Sequence, residues 1–276
     1  MAAGAHGVTL CGTEGGISMR GRVFRKEALT AAAIVSLCLG VIAPVDAQAP
    51  PRQLPLFPSV AFRGVATPAR YFYLVKAVVE YLPGAALPAG GERSRRFFTV
   101  IEGEIAFTVG GQTNAYGVGK GFTVAPGIVV AGRNEGRATA RVVVSSLVPV
   151  SGEGAIVLEG SPSAPSPRTL HAMRMPVGPL PEVIDVIQGG TRYEPGFVTG
   201  MHIMNETHAI LHLEGTTSYE YADGTREAFG PGQGGQMYVG RPGMMANRTA
   251  APSVWLITWL VTPGKPLTSP WPPAGH

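Results

Sequence analysis

YLPGAALPAGGERSRRFFTVIEG, residues 81–103, returns without a gap as YEPGFVTGMHIMNETHAILHLEG, residues 193–215, at an offset of 112 residues. After one inserted residue in the hairpin that follows, GQTNAYGVGKGFTVAPGIVVAGRN (residues 111–134) matches GTREAFGPGQGGQMYVGRPGMMAN (residues 224–247) at an offset of 113. Solenoid units recur every ~20 to 50 residues, so a repeat this long marks a duplicated domain. Two copies of one fold are expected.

Each copy is written in strands. RYFYLVKAVVEYLPG, RRFFTVIEGEIAFTVGG, ARVVVSSLVPV, AILHLEGTTSYEYADG and SVWLITWLVTPG are short β-branched and aromatic runs cut by glycine, proline or Asp-Gly. No long helical period with caps interrupts them. Gly110 with Gly111, and Asp223 with Gly224, supply the positive φ angles of tight hairpins. Regular short strands with glycine-rich turns give a sandwich or barrel, so the fold class is all-β.

The glycine, proline and asparagine skeleton of the repeat carries a family likeness. VIEGEIAFTVGG followed by PGIVVAGRN, and HLEGTTSYEYADG followed by RPGMMANRT, resemble the two signature motifs of the cupins. The resemblance covers residues 71–149 and 170–264 and implies two tandem jelly-roll (cupin) β-barrels.

The amino terminus reads as a secretory leader. Arg20, Arg22, Arg25 and Lys26 form a basic segment, residues 28–45 an apolar one, and Val45, Asp46 and Ala47 a small-residue cleavage site. Met19 stands just before the basic segment and is the expected true start. The rival reading, an uncleaved anchor, is weakened by the shortness of the stretch and by Pro44. Cleavage after Ala47 leaves 276 minus 47, or 229 residues, enough for two domains. It removes both cysteines, Cys11 and Cys38, so the mature chain has neither thiol nor disulfide. A periplasmic or secreted protein with no stable membrane anchor is expected. The formal charge of +4 falls to +3 on losing four basic and three acidic residues, too small a balance to argue for nucleic acid. The expected organisation is leader (1–47), arm and first barrel (48–160), linker SPSAPSP (161–167), second barrel (168–266) and proline-rich tail (267–276). The arm could cross to the neighbouring barrel, as arms of duplicated or dimeric cupins often do. The tail is expected to be surface coil.

The resemblance also supplies a chemical ruler. The family's metal site takes two histidines spaced HxH, a glutamate on the next strand, and a histidine from the second motif. Residues two apart on a strand share a face, ~6.6 Å apart, so one ion reaches both. In the first copy these positions are Gly90, Glu92, Arg96 and Val130, which offer no metal site. In the second they are His202, Met204 and His208, with Gly243 or its neighbour Met244 in last place. Two imidazoles with thioethers from Met204 and Met244 make a soft set that would select copper, while imidazole alone also suits iron or zinc. Against this, methionine fills irregular gaps in cores, and a barrel that lost its metal would refill with such residues. His212 lies four residues, ~13 Å, beyond His208, too far for both to close on one ion, and is expected deeper in the lumen as a ligand-orienting group. In the first barrel Arg96 should point inward, with Glu92 as its partner, where the pair could hold an anionic ligand or serve as internal polar glue.

No nucleophile motif, nucleotide loop or paired-carboxylate arrangement appears. NET at 205–207 and NRT at 247–249 are formal glycosylation sequons of little weight here. Three functional readings follow: an enzyme with one transition metal in the second barrel, a metal-free module that captures a small organic molecule, and a structural or partner-binding protein, with a homodimer through barrel edges compatible with each. Fold alone does not choose among them.

Overall fold

The protein is described here by a computed structural model covering residues 52–91, 93–150 and 165–272. The expected leader, Glu92, residues 161–164 of the linker and the end of the tail lie outside the described residues. Among those described there are nineteen strands and no helix.

The first copy contributes β1 (Gln53–Ala66), β2 (Phe72–Tyr81), β3 (Ala86–Gly91), β4 (Arg95–Glu102), β5 (Glu104–Val109), β6 (Gln112–Gly117), β7 (Gly121–Val124), β8 (Val129–Arg133) and β9 (Ala140–Pro149). The second contributes β10 (Arg168–Val177), β11 (Val183–Tyr193), β12 (His202–Met204), β13 (Thr207–Glu214), β14 (Thr217–Tyr221), β15 (Arg226–Phe229), β16 (Gly234–Gly235), β17 (Pro242–Ala246) and β18 (Ser253–Val261), followed by β19 (Thr268–Pro270). Four antiparallel sheets result, ordered β10-β2-β9-β4-β7 and β3-β8-β5-β6 in one barrel, and β1-β11-β18-β13-β16 and β15-β14-β17-β12-β19 in the other. Apart from β19 the two barrels have the same strand order. The fold is all-β, two tandem jelly-roll barrels.

The first strand of each copy is exchanged. β1 pairs with β11 of the second barrel (Gln53 opposite Tyr193, Phe62 opposite Val186), and β10 pairs with β2 of the first (Met175 opposite Leu74). Ion pairs pin both exchanges. Arg63 and the Gly64 N–H bind the Asp185 carboxylate, and together they hold its pKa below the ordinary value against the opposing effect of burial. Burial of Glu80 pushes its carboxyl up, but Arg168 at 2.6 Å and Arg141 at 3.1 Å outweigh it and leave the pKa lowered. In β11 the glycine at 190 is a packing requirement: a Cβ there would lie 2.7 Å from the Phe57 ring of the arm and 2.9 Å from Leu256.

The exchanged sheets pack back to back. Phe62, Phe72, Leu74, Phe97, Leu147, Met175, Ile184, Val186, Ala209 and Leu260 form one buried layer between the barrels. At its centre Ser145 and Thr258, equivalent residues of the two copies, meet hydroxyl to hydroxyl at 3.1 Å, which places the internal pseudo-twofold there. Beside them Gln188 accepts from Thr99 Oγ1 at 2.6 Å and donates to Ser145 Oγ at 2.8 Å. The first-copy counterpart of Gln188 is Lys76, fully buried, whose Nζ donates to the Ala209 carbonyl at 3.5 Å. Burial holds its pKa well below the usual lysine range.

The asparagine of each second motif is a lock. Asn134 Nδ2 donates to the carbonyls of Tyr81 and Ala138 at 2.8 Å, and Asn247 Nδ2 to those of Tyr193 at 3.1 Å and Ala251 at 2.8 Å. Each Oδ1 accepts a backbone N–H two residues on. These side chains explain why the motif needs asparagine, and full burial of Asn247 leaves it no room for a glycan. The tail corrects one expectation. It is not coil throughout, since β19 pairs with β12, His202 lying opposite Pro270 and Met204 opposite Thr268.

Asn247→Leu removes the side-chain donor to the Tyr193 carbonyl and the acceptor of the Thr249 N–H, and leaves the Ala251 carbonyl with the Thr249 hydroxyl. Each buried unsatisfied group costs about 1–3 kcal/mol, so a clear fall in the denaturant midpoint is expected, with Asn134→Leu behaving alike. Unchanged midpoints for both would refute the lock.

Candidate functional site in the second barrel

Aromatic and aliphatic side chains pack the lumen of the first barrel. Phe98 stacks on Phe122 at 4.7 Å and 4°, Phe107 lies 5.5 Å and 5.0 Å from them, and Tyr116 closes on Phe122 at 4.7 Å. Tyr81, Leu87, Val100, Ile105, Val130, Val142 and Val144 complete this apolar core. Arg96, two residues before Phe98 on β4, shares the lumen face by alternation and is half-buried near the barrel mouth. Its expected partner Glu92 is outside the described residues.

The second barrel places different residues at the same positions. Val79, Leu87, Val100, Ile105 and Phe107 of the first copy correspond to Thr191, Thr199, His212, Thr217 and Tyr219, and Ala77 to Gly189. The changes are toward polar or smaller side chains, and a cavity of about 600 Å³ opens. Tyr193, Trp255, Ile257 and Trp259 form its apolar wall, and Thr191, Thr199, His202 and Thr268 bring polar groups. Gln53, Pro55, Phe57 and Ser59 of the exchanged strand β1 close one side. Among the described residues no aspartate, glutamate, lysine or arginine lines it. Tyr193 and Trp255 meet edge to face at 5.3 Å. The Trp255 side chain is 5% exposed, and its Nε1–H has no hydrogen-bond partner.

Of the residues expected to bind metal, His202 and Met204 line the cavity. His202 Nδ1 donates to the Gly200 carbonyl at 2.7 Å, which leaves Nε2 with its lone pair. His208 is completely buried and committed to backbone at both nitrogens: Nδ1 donates to the Glu206 carbonyl at 3.1 Å, and Nε2 accepts the Met237 N–H at 3.1 Å. Its ring packs 4.6 Å from Trp259. Met244 needs correcting. Strand alternation carries its neighbours Gly243 and Met245 to the inner face, and Met245, not Met244, lines the cavity. His212 is buried on the lumen side, donating from Nδ1 to the Gln233 carbonyl at 3.1 Å, while its Nε2 has no partner. The structure thus brings His202, Met204 and Met245 together and sets His208 and His212 into the wall. The sequence reading missed Trp255, Trp259 and the arm residues; the paired copies held the signal, since Trp259 stands where the first barrel has Ser146.

A family-type metal does not fit these donors. A ligating imidazole needs a free lone pair, and that of His208 is taken by a backbone N–H. Among the described residues no group of three or more His, Cys, Asp or Glu converges.

Burial lowers the pKa of His208 and of His212 to about 4, only partly offset by hydrogen bonds to the Glu206 and Gln233 carbonyls. Both rings are neutral in the folded state at neutral pH. The unfolded chain binds their protons near 6.5, so their stabilising contribution is complete above that pH and is lost as pH falls toward about 4. Chemical denaturation across this window should show a declining stability, and His212→Val, which installs the first barrel's residue, should flatten the decline. An equally steep decline in the variant would show that His212 does not carry it.

Residues 77–146 match the Cupin domain family. No curated protein sequence matches the chain significantly. Among solved structures it is similar to a putative glyoxylate induced protein from Pseudomonas aeruginosa (18% identity, 79% of this chain and 86% of that one, TM-score 0.42). It is also similar to oxalate decarboxylase from Bacillus subtilis, whose structure reports Mn(II) centres (12%, 72% and 76%, 0.44), and to AerE from Microcystis aeruginosa (11%, 77% and 97%, 0.46). The matched segment runs from β2 to β9 and belongs to the Cupin domain family, and the second barrel repeats its strand order and asparagine lock.

Proposed function

We propose that the protein is an exported binding protein whose second barrel holds an uncharged, ring-bearing small organic molecule without the help of a metal. The observation that carries this reading is the cavity itself. Its volume of about 600 Å³ falls in the range of small-molecule sites, ~300–1,000 Å³. Its walls are aromatic and uncharged, so a charged ligand would be desolvated with no counter-charge. His202 Nε2 supplies an acceptor, and the Trp255 N–H, buried without a partner in the cavity wall, supplies a donor once the indole turns toward the ligand. A neutral ring with hydroxyl or carbonyl groups meets both and stacks on Tyr193, Trp255 or Trp259. The enzyme reading is less well supported, because the histidine that would complete a metal site is engaged with the backbone. Export rests on the leader pattern in residues 20–47.

Two of the three tryptophans line the cavity, so intrinsic fluorescence reports on it directly. A panel of neutral mono- and bicyclic alcohols, lactones and sugars should contain a binder whose affinity is the same at low and high salt. Trp255→Phe should weaken that binder about tenfold, the equivalent of one lost hydrogen bond of ~1.4 kcal/mol. Strong salt dependence, or indifference to Trp255→Phe, would argue against this cavity. Independently, amino-terminal sequencing of protein exported by a bacterial host should begin at Gln48; an unprocessed chain in the cytoplasm would overturn the export reading.

A further inference from the structure

The duplication exposes a second feature, at the side of the second barrel rather than in the main cavity. In the first barrel Val100, Phe107, Tyr116 and Phe122 pack as one apolar plug across the seam between β6 and β7. The corresponding residues of the second barrel are His212, Tyr219, Phe229 and Gly235. One of the four has lost its whole side chain, and two have gained a polar atom. His212 Nε2 and Tyr219 Oη are both buried without a hydrogen-bond partner, although each residue is 0% exposed. Their rings are 5.9 Å apart.

Outside them lies a groove of about 600 Å³ along the seam between the edge strands β15 and β16, lined by Glu227, Phe229, Gly235, Gln236 and Tyr238 among others. The Phe229 ring lines the groove and contacts both members of the polar pair. Phe229 lies over Gly235, where a Cβ would come within 3.0 Å of it, and stacks on His212 at 5.4 Å and 9°. It also touches Tyr219, with centroids 4.7 Å apart. It therefore fills the room that the missing Phe122 counterpart vacated, on a strand paired on one side only.

We propose that this seam is a second binding site, specific for a small phenol-like molecule that displaces the Phe229 ring and hydrogen-bonds to His212 and Tyr219. The polarity is fixed. His212 Nδ1 already donates to the Gln233 carbonyl, so Nε2 accepts, and the ligand hydroxyl donates to it at the ring edge, with the ligand ring tilted from the stacked position that Phe229 holds. The Tyr219 hydroxyl then donates to the ligand oxygen. An aryl ring matches the space in shape because the first barrel holds a phenylalanine side chain at the same place. Two buried polar atoms that cost stability while unpaired become partners, and that gain favours exchange of one aromatic ring for another.

The test is titration of phenol, with toluene and cyclohexanol as controls, followed by backbone amide shifts in NMR. Phenol should perturb Phe229, Gly235 and Gln236 rather than Thr199 and His202 of the main cavity. Phe229→Ala should tighten phenol about tenfold by removing the competing ring. His212→Val and Tyr219→Phe should each weaken it about tenfold. Those two variants carry the residues that the first barrel uses at these positions, so their folding has a precedent within the chain. Shifts confined to the main cavity, toluene binding as well as phenol, or affinities unmoved by His212→Val and Tyr219→Phe would each overturn the proposal. A failure here leaves the main-cavity reading intact, because the two sites are reported by different residues.

Discussion

Everything else in this structure depends on the exchange of first strands between the two copies. A β-sheet that buries one face on its own barrel still has another face and two edges to satisfy, and an exposed edge invites pairing with other chains. Here each copy lends its first strand to the edge of the other's sheet, and the two sheets then bury their outer faces against one another. Neither sheet is complete without the other copy. The pseudo-twofold contact of Ser145 with Thr258 and the bridge from Thr99 through Gln188 to Ser145 fix the register of that layer, since these polar groups are satisfied in one alignment.

The exchange also bears on function. Because β1 crosses over, one side of the second barrel's cavity is built by residues that precede the first barrel in sequence. Gly189 and Gly190 let that strand come close, and the wall it makes includes Gln53, Phe57 and Ser59. The tail closes the same region from the other end of the chain, with β19 on β12 placing Thr268 at the cavity.

Once duplication had doubled the scaffold, its two lumens were free to diverge. The first has a close-packed aromatic core, and the second has hydroxyls, imidazoles and space at the equivalent positions. The division has a physical logic. The shared layer between the sheets and the apolar first barrel supply hydrophobic stabilisation, which lets the second barrel tolerate unpartnered polar atoms such as Trp255 Nε1 and His212 Nε2. Histidine illustrates how context sets role: His202, His208 and His212 all sit on or near the lumen of one barrel, yet one keeps a lone pair at the cavity, one is bound to backbone at both nitrogens, and one is sealed behind Phe229.

The sequence by itself determined the duplication, the all-β class and the positions of the turns, because these are local: alternation of apolar residues, glycines at positive φ such as Gly103 and Gly215, and an asparagine at the same place in each copy. Counting along the repeat also placed His202 and Met204 near the site. Tertiary structure alone decided which lone pairs were available, since the Met237 N–H that binds His208 arrives from 29 residues away. It also turned Met245 rather than Met244 inward, on the same face as Gly243 that counting along the repeat had reached, and carried β1 and β10 to opposite barrels. Pairing partners, register and the donors that meet a side chain are properties of chain segments distant in sequence, and they are set by packing rather than by local pattern.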